Sequence, residues 1–145
     1  MIQIGSTSEI LLPMLVLVIW TLVMLAWMAM ARLPAMAAAK MDPQEGARTV
    51  ELGAKLPPHI QWKADNYNHL LEQPTLFYVV CLIMAMAGTG EGLNLILAWV
   101  YVATRIVHSV VQATINKVPL RFGIFLIGTA ALLVMAINGV IQLTS

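Results

Sequence analysis

The stretch ILLPMLVLVIWTLVMLAWMAMA, from Ile10 to Ala31, carries no charged side chain and is dense in Leu, Val, Met and Trp. As a helix it rises about 33 Å, enough to cross the roughly 30 Å hydrocarbon core of a bilayer. Glu9 precedes it and Arg32 follows it, the reverse of the charge order of a cleavable signal, so the segment is expected to stay in the mature protein as a first membrane span.

The rest of the chain fits that reading. Of its 145 residues 60% are hydrophobic and 10% charged, against roughly 25% charged in a soluble domain, and the mean hydropathy is +0.84. A soluble domain of this composition would expose aggregating apolar patches, whereas four bilayer spans absorb the excess. A net charge of +1 with no basic, aromatic-interleaved stripe argues against nucleic acid as a partner. The single Cys81 excludes an intramolecular disulfide or a thiolate metal cluster, and its apolar neighbours make it a structural thiol rather than a nucleophile.

Downstream of Arg32 the composition changes. Nine of the fifteen charges fall between Arg32 and Asp65, with Pro34, Pro43, Pro57 and Pro58, which predicts one long polar loop over 32–65. A second span is expected over about 66–87, one helix that carries Glu72 into the membrane and ends at the glycine turn Gly88-Thr89-Gly90-Glu91-Gly92. A third covers about 93–114 and contains Arg105 and His108; a fourth covers about 121–143. The fold class is therefore all-α, a single four-span up-and-down bundle over 1–145. Lys and Arg gather in the first loop and around Lys117 and Arg121, so the positive-inside rule makes that end cytoplasmic and puts both termini on the other side.

Ionisable residues inside a span are costly and usually face a bundle interior or a cavity. At 100° per residue, Tyr101, Arg105, His108 and Gln112 share one face of the third span within about 60°. Asp65, His69 and Glu72 share a face of the second, with Asn68 at its edge. Both stripes and Arg121 lie toward the cytoplasmic end, which predicts convergence on one site. One reading is an intramembrane Glu72–Arg105 ion pair that fixes helix register. The other is a pocket for an anion, because Arg105, Arg121 and Arg32 together outweigh Glu72. No metal site is expected: His59 and His69 belong to no zinc-ligand pattern.

Three motifs in order carry a family resemblance. The segment Lys63-Ala64-Asp65-Asn66-Tyr67-Asn68-His69-Leu70-Leu71-Glu72-Gln73-Pro74-Thr75-Leu76-Phe77, the upstream Lys40-Met41-Asp42-Pro43-Gln44-Glu45, and Arg105-Ile106-Val107-His108-Ser109-Val110-Val111 followed by Pro119-Leu120-Arg121 resemble the MAPEG superfamily, membrane-associated proteins of eicosanoid and glutathione metabolism, in its bacterial form. The resemblance implies a homotrimer in a bacterial inner membrane with periplasmic termini, glutathione as co-substrate between subunits, and a lipophilic electrophile arriving from the surrounding lipid. By the same resemblance Glu72 meets the glutathione amine and Arg121 stabilises the thiolate. Arg32, Asn68, His69, Tyr101, Arg105, His108 and Gln112 line the binding site. A thiol of pKa about 8.5 is mostly protonated at neutral pH, and each unit of lowering is worth about 1.4 kcal/mol.

Four positions depart from the family pattern. Asp65 stands where an arginine is expected, His69 where an asparagine is, Gln112 where a tyrosine is common, and Phe122 where the prostaglandin branch has a hydroxyl. They predict a weaker carboxylate clamp and argue against eicosanoid synthesis in particular. Two other functions compete with a glutathione-dependent transferase or peroxidase: a non-catalytic lipid- or protein-binding relative, and a proton-coupled transporter using Glu72, which the absence of an inverted repeat disfavours.

Overall fold

In the first long helix the buried positions form a narrow seam. Ile10, Leu17 and Met24 recur every seventh residue, with Pro13 and Thr21 between them, the spacing that keeps one stripe of a helix against its neighbours. Leu12, Leu15, Ile19 and Leu22 on the other faces are exposed, an apolar belt suited to lipid. Pro13 sits in the first turn, where its missing N–H costs no helical bond.

The computed structural model describes residues 8–145. Among them α1 is Leu11–Ala38, a 3-10 turn is Pro43–Gly46, and α2 is Thr49–Lys55. The remaining helices are α3 (Pro58–Leu70), α4 (Pro74–Ala87), α5 (Leu93–Thr114) and α6 (Val118–Thr144). Four segments are long and apolar enough to cross a membrane: α1, α3 with α4, α5 and α6. The fold is an all-helical four-span bundle.

Two features of the chain differ from the sequence reading. The segment 32–65 is largely helical: α1 continues through Arg32 to Ala38, α2 is a separate helix of about two turns, and α3 starts at Pro58. Prolines that read as loop signals here begin helices, because Pro43 and Pro58 stand in first turns where an N–H is not needed. Asp42 closes a capping box with Glu45 over the 3-10 turn. The second span is also not one helix. It breaks at Leu71–Gln73, because Pro74 has no N–H for the Leu70 carbonyl and its ring would strike that carbonyl in a continuous helix. Tighter bonds hold the break: Leu71 N–H to Asn68 O at 3.0 Å, Thr75 N–H to Glu72 O at 3.2 Å and Leu76 N–H to Gln73 O at 2.9 Å.

The break changes the partners of the second span. Its first half, α3, packs on α1 and α5, whereas α4 packs on α6 and α1. The broadest interface joins α5 to α6, and α1 also packs on α5. At Gly128 a Cβ would stand 2.6 Å from Thr104 Oγ1, so glycine sets the close approach of α6 to α5. Gly139 is buried on the same helix, while Gly123 is exposed. Gly88, with φ of 70°, ends α4 in the left-handed conformation. Beyond it, Asn94 donates to Thr89 O at 2.9 Å and Asn138 donates to Asn94 Oδ1 at 3.1 Å, joining α5 and α6 at the glycine-turn end.

Candidate functional site

The polar stripe of α5 is buried where the loop end of the bundle closes. Tyr101, Arg105, His108 and Gln112 are all inside, brought to one face by their three- and four-residue spacing. Opposite them α3 runs antiparallel, its register set at two points. Lys63 Nζ donates to Ala113 O at 3.1 Å, satisfying a carbonyl at the α5 C-terminus, and the His69 and His108 rings stack with centroids 4.7 Å apart.

A cavity of about 270 Å³ opens beside this stack, lined by His69, His108, Gln112, Val118, Arg121, Phe122 and Phe125. Arg121 lies one turn inside the start of α6, so its charge adds to the partial positive charge of the helix end. The lining contains no acidic residue. Arg105 lies behind it with its guanidinium carbon 5.3 Å from the Phe125 ring centroid and 5.6 Å from that of Tyr101. Arg105 is 1% exposed, and none of its three guanidinium nitrogens has a hydrogen-bond partner. A buried, unpaired cation is costly in itself, and face contact with two aromatic rings offsets only part of that cost.

The expected Glu72–Arg105 ion pair is not formed. Among the described residues the ion pairs are Arg48 with Glu51 and Lys55 with Glu45, both in the polar connection. Glu72 falls within the break and is exposed on the outside of the bundle, so it no longer shares a helical face with Asp65 and His69.

The predicted residues also do not meet at one place within the protomer. Arg32 and Asn68 line a second cavity of about 450 Å³ between α1, α2 and α3, which shares no lining residue with the first. There Arg32 Nη2 donates to Gln61 Oε1 and Gln61 Nε2 donates to Asp65 Oδ1, each at 2.9 Å. Arg32 and Asp65 thus belong to one chain of hydrogen bonds, and this cavity is balanced in charge where the first is basic. Gly53 allows α2 to lie on it, since a Cβ there would stand 2.8 Å from the Gln61 side chain. The separation has a simple cause: helical periodicity aligns residues along one helix, whereas α3 shows different faces to α1 and to α5.

Sequence reading missed Phe125, Gln61 and Gln73. Phe125 stands four residues after Arg121 and so on the same face of α6, a signal that was available. Gln73 donates to Thr129 Oγ1 at 3.0 Å and accepts from the Tyr101 hydroxyl at 3.2 Å, pairings between distant segments that no local pattern announces. Cys81 is a buried free thiol in the core.

Fold and site together define a polytopic α-helical membrane protein with a basic, aromatic-walled cavity at one end of its bundle. The MAPEG family model matches residues 10–141, and the chain belongs to that family. No curated protein and no solved structure matches it.

Proposed function

We propose that this protein is a glutathione-dependent transferase or peroxidase acting on lipophilic electrophiles. The observation that supports it most is the buried guanidinium of Arg105, unpartnered and set behind a cavity whose own charge is Arg121. Two arginines without a counter-ion call for an anionic ligand, and a peptide thiol with two carboxylates supplies that charge. Glutathione is a co-substrate in this reading. Arg121 holds the sulfur as thiolate, Arg105 faces a carboxylate, and His108 and Gln112 offer hydrogen bonds along the cavity. In conjugation the thiol loses its proton and the thiolate sulfur forms a C–S bond to the electrophile, displacing its leaving group. In peroxide reduction two thiols give one disulfide while the hydroperoxide becomes an alcohol and water.

Arg32 and Asn68 line the second cavity and Glu72 is exposed in the break, so in this proposal they join the site where a neighbouring copy meets it. The copies would form a homotrimer with the site between subunits, as the family resemblance implies, in a bacterial inner membrane whose periplasmic side holds the termini by the charge distribution of the loops. Exposure of Glu72 on the outside of a spanning segment suits the same arrangement, because a carboxylate facing lipid is costly and a neighbouring copy would cover it.

The test is a calorimetric titration of glutathione into detergent-purified protein, with Arg121→Ala and Glu72→Ala beside it. Saturable binding that weakens at least about tenfold in each variant is expected, and absence of binding to the native protein overturns the proposal. Asp65, tied through Gln61 to Arg32, favours a second reading in which ligand is bound without catalysis. Binding with no turnover of any electrophile would select it.

A further inference from the structure

Of the three residues in the break of the second span, Leu71 and Glu72 are exposed and Gln73 is partly buried. Its amide uses both ends. The oxygen accepts from the Tyr101 hydroxyl of α5 at 3.2 Å, and the nitrogen donates to Thr129 Oγ1 of α6 at 3.0 Å. Neither partner is loose. Tyr101 is fully buried and stacked on Phe77, with centroids 4.4 Å apart and 15° between the planes. Thr129 Oγ1 is itself tied to Phe125 O at 2.9 Å.

A break inside a bilayer is a natural swivel. Pro74 removes one helical bond, and α3 and α4 are joined only by three residues with short-range bonds. The two Gln73 bonds run to two different helices, so together they fix the rotation of the break about the span axis. Successive side chains near a helix are about 100° apart. With Gln73 drawn inward, Glu72 is turned out of the bundle, as observed. Without water to replace them, these bonds have no substitute in the surrounding lipid.

We infer that Gln73 is a positioning residue that sets the outward direction of Glu72. The same amide fixes Tyr101, whose ring lies 5.6 Å from the Arg105 guanidinium carbon, so one side chain orients groups toward both faces of the bundle. Where glutathione is the readout, the inference rests on the function proposed above. A second readout does not.

The experiment uses the full chain in detergent. Glutathione affinity is measured for the native protein, Gln73→Leu, Glu72→Gln and the double variant. Gln73→Leu is expected to weaken binding about tenfold, and the double variant is expected to bind no worse than Glu72→Gln alone. If the two losses multiply, Gln73 does not act through Glu72 and the inference fails. Tyr101→Phe and Thr129→Val are each expected to give part of the Gln73→Leu effect. In parallel, Glu72→Cys is labelled with a charged, membrane-impermeant thiol reagent, with and without Gln73→Leu. The native protein, whose Cys81 is buried, supplies the blank. A several-fold change in labelling rate is expected, and an unchanged rate overturns the inference. Should the native protein not bind glutathione, the proposed co-substrate falls and labelling alone decides the role of Gln73.

Discussion

The imidazoles of His69 and His108 lie face to face, 4.7 Å between centroids and 13° from parallel, with Phe125 tilted against the His69 ring at 5.6 Å. The pair joins α3 to α5 and forms a wall of the basic cavity. It therefore has two separable duties, packing and polar contact. His108→Phe keeps the stack and is expected to leave thermal stability in detergent close to native while weakening binding of glutathione, the co-substrate proposed above. His108→Ala removes the ring and is expected to cost about 1–2 kcal/mol as well. Equal stability of the two variants would show that the stack contributes nothing.

Arg105 sets stability against binding. Its guanidinium is buried with no hydrogen-bond partner, so replacing it by an apolar side chain of similar length removes a desolvation cost of the folded state. Arg105→Met is expected to raise the unfolding temperature, by the equivalent of about 1–4 kcal/mol, and to abolish the anion binding proposed for the neighbouring cavity. A fall in unfolding temperature would mean that Arg105 makes a stabilising contact in the assembled protein.

The α5–α6 interface has little slack at Gly128. Gly128→Ala places a methyl 2.6 Å from Thr104 Oγ1, an overpacking expected to cost about 1–3 kcal/mol in thermal or denaturant unfolding. Thr104 also donates to Tyr101 O at 2.7 Å, so turning its hydroxyl aside loses a bond. The double variant Gly128→Ala with Thr104→Ala should recover most of the loss, and a double variant as unstable as the single would place the clash elsewhere.

Acid reaches the polar connection through Glu45. The backbone N–H of Asp42 donates to Glu45 Oε1 at 3.0 Å and Lys55 Nζ donates to Oε2 at 3.1 Å. The first contact most, and the lysine after it, hold the Glu45 carboxyl below its ordinary value of 4.5. A lowered folded-state value means that the stabilisation is complete above the unfolded-state value and lost as pH falls through the folded-state one. Amide exchange over 42–55, corrected for its intrinsic rate, should therefore quicken on acidification below 4.5 in the native chain, whereas Glu45→Gln should show no such step.

Most of the architecture was legible because the lipid-facing helices announce themselves by composition: α1 and α6 are uncharged along their central apolar stretches, and periodicity correctly grouped Tyr101, Arg105, His108 and Gln112. The short helices were hidden by proline, which reads as punctuation yet opens a helix at Pro58. Pro74 carries two messages, start of an apolar run and end of the helix before it, and a single helix over 66–87 passes over the second. The two separate cavities were illegible for a different reason. Which face of α3 meets α1 and which meets α5 depends on packing between spans, and the exposure of Glu72 goes with a break that leaves it outside both α3 and α4.

The amide cluster of Asn94 and Asn138, with the turn at Gly88, lies at the end of the bundle opposite Arg121 and the histidine stack. At the other pole one contact serves two purposes, since the His69–His108 stack joins α3 to α5 and also walls the cavity. A change at either histidine therefore alters the joint and the cavity wall together, whereas a change at Asn94 or Asn138 reaches the α5–α6 joint without touching the cavity lining.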